Sequence, residues 1–130
     1  MRETPLMPGR LLLIALAVSG CDRGAALSAR EAAQLTGGGD DRRGAEAIRR
    51  FGCGACHTIP GIPGASGQVG PPLAGIGARS YIAGVLVNTP DDMVRWIVNP
   101  PAADSLTAMP ALDVTTSEAR DIAAYLYRHR

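Results

Sequence analysis

The residues best equipped for chemistry are Cys53, Cys56 and His57, in the run Cys53-Gly54-Ala55-Cys56-His57. Two thiols about one helical turn apart can add to the two vinyl groups of a haem, and the histidine that follows then sets an imidazole beneath the iron. The same five residues admit two other readings. A zinc site needs two more soft ligands, and a thiol-redox pair needs a βαβ frame around the CxxC. An iron held by His57 also needs a ligand on its other face, and beyond residue 20 the candidates are Met93, Met109 and His129. Met93 falls on the apolar side of an expected helix, where a methionine is ordinarily core. His129 stands beside the C-terminus. Met109 lies in Leu106-Thr107-Ala108-Met109-Pro110, an irregular stretch whose backbone Pro110 restricts. A loop folds a side chain over a flat cofactor more readily than a helix does, so Met109 is the expected second ligand. His/Met ligation fills both axial sites and raises the reduction potential, which favours electron transfer over O₂ or peroxide chemistry.

Such a motif needs an exported setting, and the N-terminus supplies one. Arg2 and Arg10 precede the apolar run Leu11 to Val18, then come Ser19, Gly20 and Cys21. A basic start, an apolar stretch too short to span a bilayer and a small-residue cleavage zone describe a secretory signal. Val18-Ser19-Gly20-Cys21 is similar to the bacterial lipobox, which makes Cys21 the expected lipidation site and the first mature residue. An ordinary signal peptide cut nearby would instead leave Cys21 a free thiol. With lipid on Cys21, only Cys53 and Cys56 remain, too few for a disulfide framework. Asp22 resembles an inner-membrane retention signal. The expected location is the bacterial cell envelope, on the periplasmic side, anchored to the inner membrane.

Three helices must position the motif. Asp40 or Asp41 caps a helix through Arg42 to Phe51, with Ala45, Ile48 and Phe51 on one face. Thr89-Pro90-Asp91-Asp92 opens a second that runs through Val98 and stops before Pro100. Thr115 and Glu118 form a capping box for the last helix, on which Ile122, Tyr125 and Leu126 share a face. Thr58 to Arg79, rich in Pro and Gly, reads as one long loop, and Asn99 to Val114 as another. No convincing strand appears. The expected layout is a lipoprotein signal peptide over 1–20, a flexible tether over 21–39 that has room for a short helix from Ser28 to Leu35, and an all-α domain over 40–130.

Composition narrows the field. The 130 residues allow one core, and the only aromatics are Phe51, Tyr81, Trp96, Tyr125 and Tyr127. So small a domain, so poor in large side chains, needs a cofactor, metal or disulfide to add burial. A net charge of +1 gives no reason to expect nucleic acid as partner.

From about Asp40 to the C-terminus the chain resembles a class I cytochrome c. The resemblance rests on Cys53-Gly54-Ala55-Cys56-His57, on Gly70-Pro71-Pro72-Leu73-Ala74-Gly75 with Arg79, and on Asn99-Pro100 followed by Thr107-Ala108-Met109. It implies three to four helices wrapped around a single haem c, covalently held by Cys53 and Cys56. It also implies that the Pro71 carbonyl accepts the Nδ1 proton of His57, that Arg79 and Thr107 stand near haem propionates, and that Trp96 packs beside the haem on the methionine side. The first and last helices would cross. Tyr81 to Leu126 looks most like the cytochrome c domains that accompany or are fused to subunit II of haem-copper oxidases.

Two departures stand out. A proline common before the methionine segment is replaced in Asp104-Ser105-Leu106, and the docking lysines of some members are absent. A basic docking surface would use Arg42, Arg43, Arg49, Arg50 or Arg95, although a charged stripe is also what a solvated face looks like. The expected function is electron carriage, with no catalytic residue and no small-molecule substrate, between an unidentified membrane-associated donor and a terminal oxidase or similar acceptor. The alternatives are a fixed haem-bearing subunit of a membrane oxidase or dehydrogenase complex, and a haem enzyme or gas sensor with an open iron site.

Overall fold

A computed structural model describes residues 26–129; the expected signal segment and Cys21 lie outside the described residues. The described chain is mostly helical. In order it runs through α1 (Ala29–Leu35), α2 (Asp41–Arg50), a 3₁₀ turn at Cys53–Ala55, another at Ile76–Ala78, the strands β1 (Tyr81–Ile82) and β2 (Leu86–Val87), α3 (Pro90–Val98), α4 (Pro100–Ala103) and α5 (Thr116–Arg128).

The long helices start where their caps dictate. The Asp40 carboxylate accepts the Arg42 and Arg43 amides at 2.9 and 3.0 Å, satisfying donors that the first turn of α2 leaves without partners. Thr89 Oγ1 accepts the Asp92 amide and Pro90 opens α3, while Thr115 and Glu118 bond reciprocally at the head of α5. Proline at 100 follows the end of α3, as its steric demand on the preceding residue requires.

At the centre lies α5. It packs against α1, α2, α3 and the 76–78 turn, and Ala119 and the whole run from Asp121 to Tyr127 are buried. On α2 the buried positions are Asp41, Gly44, Ala47 and Ile48, with Ala45 and Phe51 only half-buried. The interface is thus rotated from the face expected over Ala45, Ile48 and Phe51. Gly44 explains the rotation: a Cβ there would overlap the Asp121 carbonyl and lie 3.0 Å from Tyr125 Cβ. Without a side chain, α2 brings its backbone directly against α5. Gly39 repeats the device, since a Cβ on it would overlap the Arg120 carbonyl.

The crossing is fastened by a buried carboxylate. Asp121 accepts the Asp40 amide at 2.7 Å and a two-pronged bond from Arg43, with Nε and Nη2 at 2.8 and 2.9 Å. A buried charge is tolerable when its oxygens are satisfied in this way.

Three elements differ from expectation. Residues 29–35, assigned to the tether from sequence, form α1, capped by the Ser28–Glu31 box and packed on α5 with Ala32 fully buried. Among the described residues the packed part of the chain therefore already includes Leu27. A short hairpin pairs Tyr81 with Val87 and Ile82 with Leu86, turning through Ala83 and Gly84, both with positive φ. Two-residue strands carry no alternation to read. The single turn of α4 follows from Asn99, whose side chain accepts the Ala102 amide.

Candidate functional site

α2 ends at Arg50, and the chain reverses through Gly52, whose φ of +69° is costly for any residue with a Cβ. The next residues wind into a 3₁₀ turn, closed by bonds from the Cys56 and His57 amides to the Cys53 carbonyl at 3.3 and 3.0 Å. With three residues per turn, positions i and i+3 eclipse, so Cys53 and Cys56 project on one side. Both thiols are unbonded and half-buried. Burial pushes the Cys53 thiol above the ordinary cysteine value.

The His57 ring is held from two directions. Its Nδ1 lies 2.7 Å from the Pro71 carbonyl oxygen, an acceptor, so Nδ1 carries the proton and Nε2 keeps its lone pair. Gly70 backs onto the ring so closely that a Cβ would stand 2.6 Å from Nδ1 and 2.9 Å from Nε2. The loop that presents both residues is tied to the motif by backbone bonds, Gly67 amide to Gly54 carbonyl at 3.0 Å and Gly70 amide to Cys56 carbonyl at 2.8 Å. The Thr58 hydroxyl donates to Gly67 and the Thr58 carbonyl accepts the Leu73 amide.

Arg79 closes this loop from beyond it, donating to the Pro72 and Ala74 carbonyls at 2.8 and 3.1 Å. Asn88 was not singled out from sequence, yet it joins three elements: its amide donates to the Ile76 and Arg79 carbonyls, and its oxygen accepts from the Tyr127 hydroxyl on α5. Tyr125 does similar work nearer the motif, donating to the Pro60 carbonyl at 2.5 Å. Gly70 was visible only as part of a Gly-Pro-Pro run; its contact with an imidazole 13 positions earlier leaves no local signature.

Met109 is half-buried against the same apolar core that Cys53 and Leu73 pack on. Its amide donates to Thr107 Oγ1 at 3.2 Å, and Asp104 receives the Leu106 and Thr107 amides, so local bonds shape this loop. Trp96 and Met93 are buried in the core. His129, the third candidate ligand, stacks on Tyr125 with ring centroids 4.0 Å apart.

Chemically, the arrangement offers two thiols on one side of a turn, one imidazole with a committed Nδ1 and an open Nε2, and apolar surface beside them. Leu106, in the Met109 loop, and Val69, next to Gly70, are 92% and 78% exposed. Among the described residues no three His, Cys, Asp or Glu side chains converge as a metal-binding group. No protein-family model matches the sequence, and no curated protein matches it either.

Proposed function

We propose that this protein is a class I cytochrome c that carries single electrons through one covalently bound haem. The observation that carries the reading is the fixed His57 ring: Pro71 accepts its Nδ1 proton and Gly70 supports its face, leaving Nε2 directed by the fold rather than by solvent. The residues present fit such a group. Cys53 and Cys56 are free and half-buried on one turn and would form the thioether bonds, and Met109, on a half-buried loop, would supply a second iron ligand. When bound, the haem supplies a reversible one-electron couple.

The chain's own residues then do three things. His57 and Met109 would both bind the iron, which would leave no open site for O₂ and other small ligands. Leu73 and Trp96, both packed in the apolar core, would keep water from the haem and so raise its potential. Arg79 and Thr107 serve as propionate partners; Arg79 now donates to two carbonyls, a role that also stiffens the loop under His57.

The rival uses of a CxxC find less support. A reactive redox thiol needs a depressed pKa, and burial drives Cys53 the other way. A zinc site needs four converging ligands, and the described residues bring no such group together. The carrier works at the periplasmic face of a bacterial membrane, tethered through lipid at Cys21, and passes electrons from a membrane donor to a terminal oxidase or similar acceptor.

A haem stain on a denaturing gel tests the covalent attachment, with a stained band expected and an unstained one overturning the proposal. An absorption spectrum tests the ligation. The oxidised protein should show a weak far-red band that Met109→Ala removes, and the reduced protein should resist CO; ready CO binding would replace the carrier with an open-site haem protein.

A further inference from the structure

Pro71 can hold the His57 proton only if its own segment stays in place, and that segment cannot brace itself. Pro71 and Pro72 have no amide hydrogen, so neither can donate a backbone bond. The near end of the loop is tied to the motif by the Gly70 amide on Cys56 and the Leu73 amide on Thr58, at 2.8 and 2.9 Å. The carbonyls that follow Pro71 are held by a side chain, since Arg79 turns back and donates to Pro72 and Ala74. Arg79 is itself exposed, so its reach depends on where its backbone is held.

Asn88 holds that backbone. Its amide nitrogen lies 2.7 Å from the Ile76 carbonyl oxygen and 2.8 Å from that of Arg79, and carbonyls can only accept. The nitrogen must therefore face the turn, which leaves Oδ1 to accept the Tyr127 hydroxyl at 2.7 Å. No other side chain of this size offers two N–H donors on one atom and an acceptor beside it. An aspartate in its place would aim a carboxylate at two carbonyl oxygens.

Tyr127 is the fixed end of these bonds. It is buried on α5, the central element of the fold, and its ring lies against Gly77, where a Cβ would stand 2.8 Å from Tyr127 Cδ1. The 76–79 segment is thus gripped on two sides, by the tyrosine ring and by the asparagine amide. Contacts run unbroken from α5 through Asn88 and Arg79 to Pro72, and so to Pro71 and the imidazole.

We propose that Asn88, anchored by Tyr127, is a positioning residue for His57: it fixes the far end of the loop and so decides how firmly the Pro71 carbonyl holds Nδ1. A histidine whose Nδ1 proton is held in this way is a more basic and better oriented metal ligand. The role of His57 as an iron ligand rests on the cytochrome reading above, whereas the hold of Asn88 on its Nδ1 does not.

The test is the exchange of the His57 Nδ1 proton with solvent, read by nuclear magnetic resonance on the isotope-labelled holoprotein. Asn88→Asp should quicken it about tenfold and Tyr127→Phe about threefold, while amide exchange along α3 and α5 stays unchanged. Thr115→Ala, which removes the α5 cap, controls for lost stability and should leave the ring proton slow. A ring proton unchanged in either of the first two variants overturns the proposal. So does an equal quickening in Thr115→Ala, which would make the effect one of global stability. If Asn88→Asp does not fold, Tyr127→Phe against Thr115→Ala decides alone. In the oxidised wild type a bound iron should displace the His57 ring resonances; undisplaced resonances overturn the cytochrome reading, while the exchange of the ring proton still decides the role of Asn88.

Discussion

The two loops that would flank the iron are built to different standards. On the histidine side, residues 53–79 are cross-braced: the Gly54 and Cys56 carbonyls accept the Gly67 and Gly70 amides, Pro71 holds the imidazole, and Arg79, Asn88 and Tyr125 tie the loop to the rest of the fold. On the methionine side, residues 104–110 bond chiefly to themselves, and Leu106 is 92% exposed. The imidazole is positioned by the protein's own contacts, whereas the Met109 thioether sits on a loop with few ties beyond itself. For the haem proposed above, a stiff side and an adaptable side would be a workable division of labour.

The strongest challenge to that contrast is removal of the attachment itself. Cys53→Ala or Cys56→Ala should lower covalent haem on a denaturing gel from full to weak staining, and the double variant should abolish it. Next comes support of the ring. Gly70→Ala introduces a Cβ where the imidazole lies, and overpacking of this kind costs about 1–3 kcal/mol, read as a lower midpoint in denaturant melts. The methionine side should be more forgiving. Met109→Ala removes a half-buried side chain, so it should cost only about 1 kcal/mol of stability while eliminating the far-red band. If Met109→Ala proves more destabilising than Gly70→Ala, the stiff and adaptable sides have been assigned the wrong way round.

The smallest expected effect is a pH dependence confined to the stiff side. Burial holds His129 below its ordinary value of 6.5, helped by Arg128 and opposed by Asp41. Its folded pKa is depressed, so the unfolded chain takes up the proton first. The contribution to stability is complete above about pH 6.5 and is lost as pH falls towards the lowered native value. His129 stacks on Tyr125, and Tyr125 holds Pro60. Hydrogen exchange at 58–66 should therefore quicken on acidification within that window, with no matching change at 104–110. His129→Phe should flatten the response; an unchanged response would separate His129 from the loop.

Local signals were readable where they are local. The caps at Asp40, Thr89 and Thr115 located α2, α3 and α5 because a cap is a contact between residues two or three apart. The spacing of Cys53, Cys56 and His57 carried the haem proposal, and the resemblance drew attention to Pro71, which the structure places 2.7 Å from the His57 ring. Asn88 and the contacts made by Gly70 and Tyr125 were not legible, since each acts on a partner distant in sequence. The hairpin escaped because two-residue strands have no period. α1 passed for tether because its stability comes from docking Ala32 on α5, not from its own seven residues.

The sequence by itself determined which residues could attach a cofactor and where the three main helices begin. Only the tertiary structure decided which face of α2 is inside. Gly44 admits the α5 backbone and Asp121 fastens the crossing, and both depend on atoms brought together across nearly 80 residues of chain. It also decided which arginines are spent on partners and which are free, because charge pairing depends on distance in space and not on order along the chain.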